Sequence, residues 1–399
     1  MKNIDIKLMK RVLLVLNVVF AFLVNACQKA DDYYVCAYVW PSCHNDPLAQ
    51  KYIWPEGIGE WEVISKGDPR WDGHYQPRRP LWGYELDNDP QVVEKWINTA
   101  LDHGVNTFIY DWYWYSAPDG YSGPYLESAL NDGFLKAPSN RKMNFYLMYA
   151  NHFVKYNYWN YHIHGDNQEI LFNPTVGMNE WKQIVERVIT QYFHLPNYVK
   201  IDGCPVFAIF SETVFINGFA SREAAAEAME YFRAEVRKAG FPDVHIQMTP
   251  GGGSNPDGNR QTSTKGNIDL LGINSIAFYN MGGFNTDYEV HCANAVNIRN
   301  NVDTLYNIPL FPTVSIGWDD TPRFPAKGKK DATSVNQSAE VFGKYLKIAK
   351  DYADAHADRQ PKFIMINAWN EWVEGSYLLP DEVHGFSYLE TVKEVMSQK

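Results

Sequence analysis

The chain has 399 residues, with 36 basic and 47 acidic side chains and a formal net charge of −11 at pH 7. An acidic surface without a basic stripe repels phosphate backbones, so we do not expect nucleic acid as a partner. Aromatic residues make up 15% of the chain, and many fall in loop-like segments, which favours a binding cleft over simple core filling.

The N-terminal segment has the pattern of a bacterial lipoprotein signal. A basic stretch at 1–11 precedes an apolar run at 12–24 that is too short to span a bilayer. The run leads into Leu23-Val-Asn-Ala-Cys27, which resembles a lipobox. We therefore predict a signal peptide over 1–26, a lipid anchor on Cys27 and a short tether over 27–32. The alternative is a secretory signal with an unmodified cysteine. The lipoprotein interpretation places the protein at the outer membrane, on its periplasmic or cell-surface face.

Four cysteines follow the lipobox, and none has the spacing of a zinc knuckle. They are Cys36, Cys43, Cys204 and Cys292. The first two are close enough in sequence to pair in an oxidising compartment. We expect buried free thiols instead.

Apolar, β-branched runs alternate with helical patterns along the rest of the chain. Strands are predicted at 33–40, 105–115, 144–149, 205–210, 245–248, 268–276, 308–314 and 363–367. Helices are predicted at 89–103, 179–193, 221–239, 288–305 and 335–357. Residues 249–267 are rich in Gly, Ser, Asn and Thr, and they predict an extended loop between the fifth and sixth strands. This alternation predicts an α/β fold, a closed (β/α)8 TIM barrel with long strand-to-helix loops. We expect one catalytic domain over 33–399, and a monomer.

The last predicted strand leads into a segment that combines carboxyl groups with indoles. Glu371 and Glu374 stand there beside three side chains expected to bind substrate, which are Trp369, Asn370 and Trp372. Indoles offer apolar faces for sugar rings, and carboxyl groups can transfer protons at a glycosidic oxygen. We predict that Glu371 and Glu374 are catalytic. The alternative is a glutamate that caps a loop beside Trp372.

Other strand ends supply further candidates, because the strand ends of a barrel pool their side chains at one face. The candidates for substrate binding are Tyr38, Trp40, Asp111, Trp112, Asn151, His152, Tyr279, Trp318 and Asp319. Their alternative roles are structural: a histidine can anchor its own loop, and aromatic residues can form the upper packing layer. Asp319 either binds sugar hydroxyls or pairs with Arg323, and we favour the pairing.

Other chemistries lack their motifs in this sequence. There is no Gly-x-Ser-x-Gly elbow, no phosphate-binding glycine loop and no evident Ser/His/Asp arrangement. His162-Ile-His164 has a spacing that can bind metal, but it lies in a segment rich in Tyr, Trp and Asn. We predict no metal and no cofactor. Glycoside chemistry by paired carboxylates is the interpretation that remains.

Several motifs together resemble those of the glycoside hydrolase family 99-like (WbsX-type) proteins. The C-terminal signature is Asn367-Ala-Trp-Asn-Glu-Trp-Val-Glu-Gly375. The other matches, in family order, are Gln76-Pro77 leading to Gly83-Tyr-Glu85, Tyr113-Trp-Tyr115, His194-Leu-Pro-Asn-Tyr-Val-Lys-Ile-Asp-Gly203 with Pro205-Val206, and Gly317-Trp-Asp-Asp-Thr-Pro-Arg323. They extend over most of the chain after the predicted signal.

The resemblance implies a barrel that acts on mannose-containing or related glycans. In the characterised endo-α-mannosidase members an acidic pair spaced Glu-x-x-Glu lies at the end of the barrel. Carried over, Glu371 deprotonates the sugar's own 2-hydroxyl, and Glu374 protonates the leaving oxygen, with net retention. Two other classes stay open. One is a WbsX-type glycosyltransferase, against which a secretion signal argues because nucleotide sugars are made in the cytoplasm. The other is a non-catalytic surface glycan-binding lipoprotein.

Overall fold

A computed structural model describes residues 33–250, 264–280, 287–324 and 334–398. Tyr34–Lys399 form one compact unit. The predicted signal peptide, the Cys27 lipidation site and the tether at 27–32 lie outside the described residues. Across the four described ranges, none of the helices combines the length and the apolar character that a membrane crossing requires.

Nine parallel strands form a nearly closed barrel. They are β1 (Tyr34–Val39), β2 (Thr107–Ser116), β3 (Asn144–Tyr149), β4 (Cys204–Ile209), β5 (His245–Met248), β6 (Ser275–Ala277), β7 (Leu310–Phe311), β8 (Thr313–Ser315) and β9 (Phe363–Asn367). β7 pairs with β6 and β8 pairs with β9. These two short strands are consecutive in the chain and together occupy one position of the barrel. Pro312 separates them, because proline has no amide hydrogen to donate to a neighbouring strand. Tyr34 lies opposite Phe363 where β1 meets β9. The predicted (β/α)8 barrel is confirmed.

Helices alternate with these strands along the chain. They are α1 (Pro90–Asp102), α2 (Met178–Val188), α3 (Arg222–Lys238), α4 (Lys265–Leu271), α5 (Tyr288–Tyr306), α6 (Ala339–Ala355) and α7 (Ser387–Ser397). Between β2 and β3 a π-helical turn, Ala129–Phe134, takes the place of a long helix. α1 shows why these segments are helical. The side chain of Asp89 caps its N-terminus, Pro90 lies in its first turn, and one face of the helix is buried.

Shorter elements lie in the loops. The helical ones are Pro47–Tyr52, Trp61–Ile64, Asn140–Lys142, Tyr156–Trp159, Tyr161–His164, Ile189–Phe193, Glu212–Asn217 and Trp372–Glu374. The extended ones are Ser122–Tyr125, Val154–Lys155, Ile170–Phe172, Lys200–Ile201, Asn370–Glu371 and Ser376–Tyr377. After β9, the chain passes through a cis peptide bond between Asn367 and Ala368.

The strand predicted at 268–276 is wrong in its first half. Residues up to Leu271 belong to α4, and only Ser275–Ala277 form a strand. Thr264 caps this helix by accepting a hydrogen bond from the amide of Asn267, and Gly272 ends it in the left-handed region. The loop predicted at 249–267 therefore contains the start of α4, and its residues 251–263 lie outside the described ranges.

The pleat of β2 decides which of its side chains reach the barrel end. Asp111 and Tyr113 line a cavity there. Trp112 lies on the opposite face, where its indole nitrogen donates to Glu127 Oε1 at 2.8 Å. The cysteines described by the structure are free, as predicted: Cys36, Cys43 and Cys292 are buried, while Cys204 is half-buried.

Candidate active site

A cavity of about 370 Å³ opens where the barrel strands end. Its walls combine aromatic rings with carboxyl, amide and cationic groups. The lining residues that follow β1, β3, β4 and β6 include Trp40, His152, Phe210 and Tyr279, and those from the segment after β9 are Glu371 and Glu374. Barrel enzymes have their active sites at this face, where the carboxyl ends of the strands bring side chains together.

One buried guanidinium group connects three carboxyl groups at this cavity. Arg323 Nε donates to Glu60 Oε1 at 2.8 Å, and Nη1 donates to Glu374 Oε1 at 3.0 Å. Nη2 lies 3.5 Å from Glu371 Oε1. Glu60 is held in turn by the indole nitrogen of Trp40, at 2.5 Å from Oε2. A single positive charge cannot offset three negative charges out of water, and burial in this cluster favours the protonated forms of Glu371 and Glu374.

Burial raises the pKa of Glu371 to about 7, against the opposing effect of Arg323. Glu60 adds to the rise, while a hydrogen bond from Tyr279 lowers the value. The Tyr279 hydroxyl donates this bond to Glu371 Oε2 at 2.6 Å. Glu371 is thus poised to exchange a proton near neutral pH.

Glu374 is held more firmly in its protonated form. Burial, followed by the nearby Glu371 carboxylate, raises the pKa of Glu374 well above its usual range. Its Oε2 atom is buried and has no hydrogen-bond partner among the described residues. A protonated carboxyl group in this position can donate a proton to a ligand in the cavity.

Asp111 adds another carboxyl group to the cavity wall. Burial and the neighbouring Glu371 raise the pKa of Asp111 well above its usual value, and Tyr279 opposes that rise. Oδ1 of Asp111 is buried without a hydrogen-bond partner in the described part of the chain. An unpartnered buried oxygen costs about 1–3 kcal/mol, so this group is suited to a hydroxyl supplied by a ligand.

Aromatic rings form much of the remaining wall. Tyr113 meets Trp40 edge to face at 5.6 Å between ring centroids, and Trp159 meets Trp40 at 5.2 Å. His152 packs against Trp159, and burial lowers its pKa to about 4, so the imidazole is neutral at pH 7. Flat apolar faces beside neutral hydrogen-bonding groups suit a sugar ring.

The structure brings six of the predicted site residues to the cavity. They are Trp40, Asp111, His152, Tyr279, Glu371 and Glu374. The other predicted residues are absent from its lining: Tyr38, Trp112, Asn151, Trp318, Asp319, Trp369, Asn370 and Trp372.

Several of those other residues form hydrogen bonds with the backbone of residues in or next to the cavity lining. Tyr38 donates its hydroxyl to the carbonyl oxygen of Phe278, next to Tyr279. The Asn151 carboxamide bridges to the backbone of Ser211, and the Asn370 carboxamide bonds the backbone of Trp40.

The remaining indoles pack elsewhere. Trp369 meets Phe108 at 5.1 Å, Trp372 stacks on Tyr377 at 3.8 Å, and Trp318 is half-buried outside the cavity.

The favoured pairing of Asp319 with Arg323 is wrong. Asp319 Oδ2 accepts hydrogen bonds from His74 at 2.9 Å, Gln76 at 2.8 Å and Arg78 at 3.1 Å. Burial raises the pKa of Asp319, but hydrogen bonds from His74 and Thr321 and the charge of Arg78 outweigh it and hold the pKa far below its usual range. Arg323 lies instead among the glutamates, because the chain turns between the two residues. The Asp319 amide donates to the carbonyl oxygen of Glu374 at 2.6 Å, so this ion cluster supports the acidic segment.

Sequence reasoning missed two groups of residues, one that contacts the cavity residue Arg323 and one in the cavity wall itself. Glu60 lies in the long segment at 41–90, which has few apolar periodic residues, and its partner Arg323 is 263 positions away. The second group comes from the segment at 153–172, which supplies Lys155, Asn157, Tyr158 and Gln168. The high Tyr, Trp and Asn content of that segment was the available signal.

His162 and His164, which have metal-ligand spacing, bond to backbone carbonyl oxygens instead. His162 Nε2 lies 3.2 Å from the carbonyl oxygen of Pro322, and His164 Nε2 lies 2.6 Å from that of Tyr52. Across the described ranges, no three His, Cys, Asp or Glu side chains group in a way that could hold a metal ion.

Comparison with known proteins places this barrel in a family. The sequence profile described as "Glycosyltransferase WbsX" matches residues 35–392. The uncharacterized protein WxcX of Xanthomonas campestris pv. campestris is 21% identical over 369 residues, which cover 91% of this chain and 49% of that protein. The chain thus spans about half the length of the curated relatives it matches.

Two solved structures share the fold. The GH99 endo-alpha-mannosidase from Bacteroides thetaiotaomicron superposes with a TM-score of 0.56 and 14% identity, over 92% of this chain and 96% of that one. A protein described as glycoside hydrolase-like gives a TM-score of 0.55 and 14% identity, over 92% and 95%. The profile match extends over nearly the whole described region, so the chain belongs to the WbsX glycosyltransferase family.

Proposed function

We propose that the protein is a retaining glycoside hydrolase that acts on mannose-containing or related glycans. The observation that carries this proposal is the pair of buried acids, Glu371 and Glu374, joined by Arg323 in an aromatic cavity at the barrel end. Family membership and the shared barrel fold support an enzyme that acts on glycans.

The two acids divide the roles of base and acid in this proposal. Glu371, with a pKa of about 7, is ionised in a large fraction of molecules at neutral pH and accepts the proton of the sugar's 2-hydroxyl. The 2-oxygen then attacks the anomeric carbon, and the bond to the leaving oxygen breaks. Glu374, whose pKa is well above its usual range, donates a proton to that oxygen. In the second step Glu374, now ionised, accepts a proton from a water molecule whose oxygen attacks the anomeric carbon. The bond between that carbon and the 2-oxygen breaks, and Glu371 returns its proton to the 2-oxygen. Two inversions at the anomeric carbon leave the configuration retained.

The experiment that tests the proposal is release of reducing ends from a panel of mannosides. We expect release by the wild type and a loss of at least a hundredfold for Glu374→Gln, because amide nitrogen cannot donate the required proton. Glu227→Gln, on the exposed side of α3, is the matched control and should keep wild-type activity. Equal release by wild type and Glu374→Gln would contradict the acid assignment.

A second candidate, a glycosyltransferase, is favoured by the description of the family. It requires a cavity that binds the diphosphate of a nucleotide sugar. The guanidinium group of Arg323 already contacts three glutamate side chains, which argues against phosphate binding at that residue. Incubation with nucleotide sugars and a mannoside acceptor distinguishes the two: glycan extension without release of reducing ends would replace the hydrolase proposal.

A further inference from the structure

Lys155 stands in the cavity wall on the short strand Val154–Lys155, which pairs with Ile170–Phe172. Its ammonium group makes one weak hydrogen bond, to Gln168 Oε1 at 3.4 Å. The described residues provide no carboxylate within ion-pair distance of it. Because Lys155 is half-buried and has no carboxylate partner among the described residues, its positive charge is available to a ligand in the cavity.

Lys155 differs from the other basic groups of this cavity. The guanidinium group of Arg323 is already occupied by contacts with three glutamate side chains. His152 has its pKa lowered to about 4 by burial and carries no charge at neutral pH. Within the described lining, Lys155 is therefore the cation whose charge remains available to a ligand.

Amide groups beside Lys155 complete a polar wall. Asn157 is only 7% exposed, yet its carboxamide has no hydrogen-bond partner in the described ranges and lines the cavity. The backbone amide of Asn157 donates to the carbonyl oxygen of Asn167 at 3.1 Å, which holds the residue against the loop that precedes the strand Ile170–Phe172. Gln168 lines the same cavity. An ammonium group and two carboxamides supply several hydrogen-bond donors from one segment.

We propose that the wall formed by Lys155, Asn157 and Gln168 binds an anionic substituent of the glycan, either the carboxylate of a uronic acid or a sulfate ester. The inference rests on the proposed function, because it takes a glycan as the ligand of this cavity. It deepens that function by specifying a negatively charged sugar in the cavity that the two acids also line. A charge-assisted hydrogen bond is stronger than a neutral one, so the anion gains affinity over its uncharged analogue.

Binding by the Glu374→Gln variant tests this inference, because it avoids turnover during the measurement. The probes are two matched pairs: a sulfated mannan with its desulfated form, and a uronic-acid oligosaccharide with its carboxyl-reduced form. We expect one charged probe to bind about tenfold more tightly than its neutral partner, and Lys155→Gln added to Glu374→Gln to remove that difference. The pair that shows the difference identifies the anion as sulfate or carboxylate.

The matched control is Lys182→Gln in the same background, since Lys182 is exposed on α2 and outside the cavity. It should preserve the preference, and circular dichroism of each variant confirms folding. Equal affinity within both pairs, an unchanged preference in Lys155→Gln, or no binding of any probe would overturn the inference. Charged glycan that binds to the variant but is not hydrolysed by the wild type would instead count against the hydrolase proposal alone.

Discussion

Burial raises the pKa of Glu371, and Tyr279 is one of two groups that oppose that rise, the other being Arg323. The Tyr279 hydroxyl donates to Glu371 Oε2 at 2.6 Å, and this bond lowers the pKa of the glutamate in addition to the larger effect of Arg323. Since the proposed base must be ionised, activity should rise as pH increases through about 7. The rise should end at higher pH, where Glu374 loses its proton.

Tyr279→Phe should move the acidic limb of the pH profile to higher pH by about one unit, because the carboxylate loses a stabilising donor. The measurement is kcat/KM for a mannoside substrate over a pH series. Tyr231→Phe, on the outer helix α3, serves as the control and should leave the profile unchanged. An unshifted limb in Tyr279→Phe would show that this hydrogen bond does not set the ionisation of the base.

The catalytic candidates were predictable from sequence, whereas their charge environment was not. Glu371 and Glu374 are three positions apart and stand among indoles, so a local pattern exposes them. Glu60 and Arg323 meet only through the fold, because 263 positions separate them. Trp369 and Trp372 belong to the same local pattern, but backbone direction turns their rings away from the cavity. A linear pattern does not contain that direction.

At the scale of elements, the turn after Glu374 depends on one glycine. Gly375 has φ of +64°, and a Cβ there would lie 2.8 Å from Arg78 Nη2 and 3.1 Å from Asp319 Cβ. The residue must therefore satisfy two demands at once, a left-handed backbone and close contact with an ion pair.

Gly375→Ala should lower the free energy of unfolding by about 2–3 kcal/mol, combining backbone strain with displacement of the Arg78–Asp319 pair. Gly385→Ala is the matched control, because Gly385 also has positive φ, at +52°, but has open space around its missing Cβ. It should cost about 1 kcal/mol. Urea unfolding of both variants measures the difference, and equal losses would show that crowding at Gly375 has no effect.

Element bounds were most predictable where a short apolar run is flanked by turn residues. The strands at 144–149, 245–248 and 363–367 have their predicted limits. The run beginning at Ile268 was ambiguous, because burial on one side of a short helix produces apolar residues much as a strand does. The cap residues Thr264 and Gly272 carried the information that distinguishes the two.

At the scale of the molecule, Asp319 joins loops that are far apart in sequence. His74, Gln76 and Arg78 come from the segment between β1 and α1, while Asp319 follows β8. The cluster is buried, so its charges are not screened by solvent. The pKa of Asp319 is lower in the folded state than in the unfolded chain, where it is about 3.9. The carboxylate therefore stabilises the folded protein at pH values above about 3.9.

Asp319→Asn should lower the free energy of unfolding by about 3–5 kcal/mol at pH 7, because Arg78 is left as an uncompensated buried charge. The difference in the free energy of unfolding between wild type and variant should persist at pH 5. It should narrow as pH falls below about 4, because protonation of the wild-type carboxyl group then removes its stabilising effect. Urea unfolding at pH 7, 5 and 3.5 measures it. Asp269→Asn, in an exposed pair with Lys265, should show almost no effect. A gap independent of pH would contradict the role of the charge.

The barrel itself was predictable, since the number and alternation of apolar runs require no knowledge of long-range contacts. The division of the seventh strand was visible only as Pro312 within a run. How the long loops fold over the barrel end was not predictable, because their contacts, such as Arg78 with Asp319, join segments 241 positions apart.

Burial of the Arg323 cluster has a consequence for how the protein responds to its surroundings. Dissolved ions screen exposed charges over a Debye length of about 8 Å at physiological ionic strength, but they act weakly on pairs enclosed by protein. Arg323 and both acids are enclosed, whereas Lys155 is half-exposed. Under the proposed function, added salt should therefore weaken binding of a charged glycan at Lys155 and leave proton transfer at the enclosed acids almost unchanged.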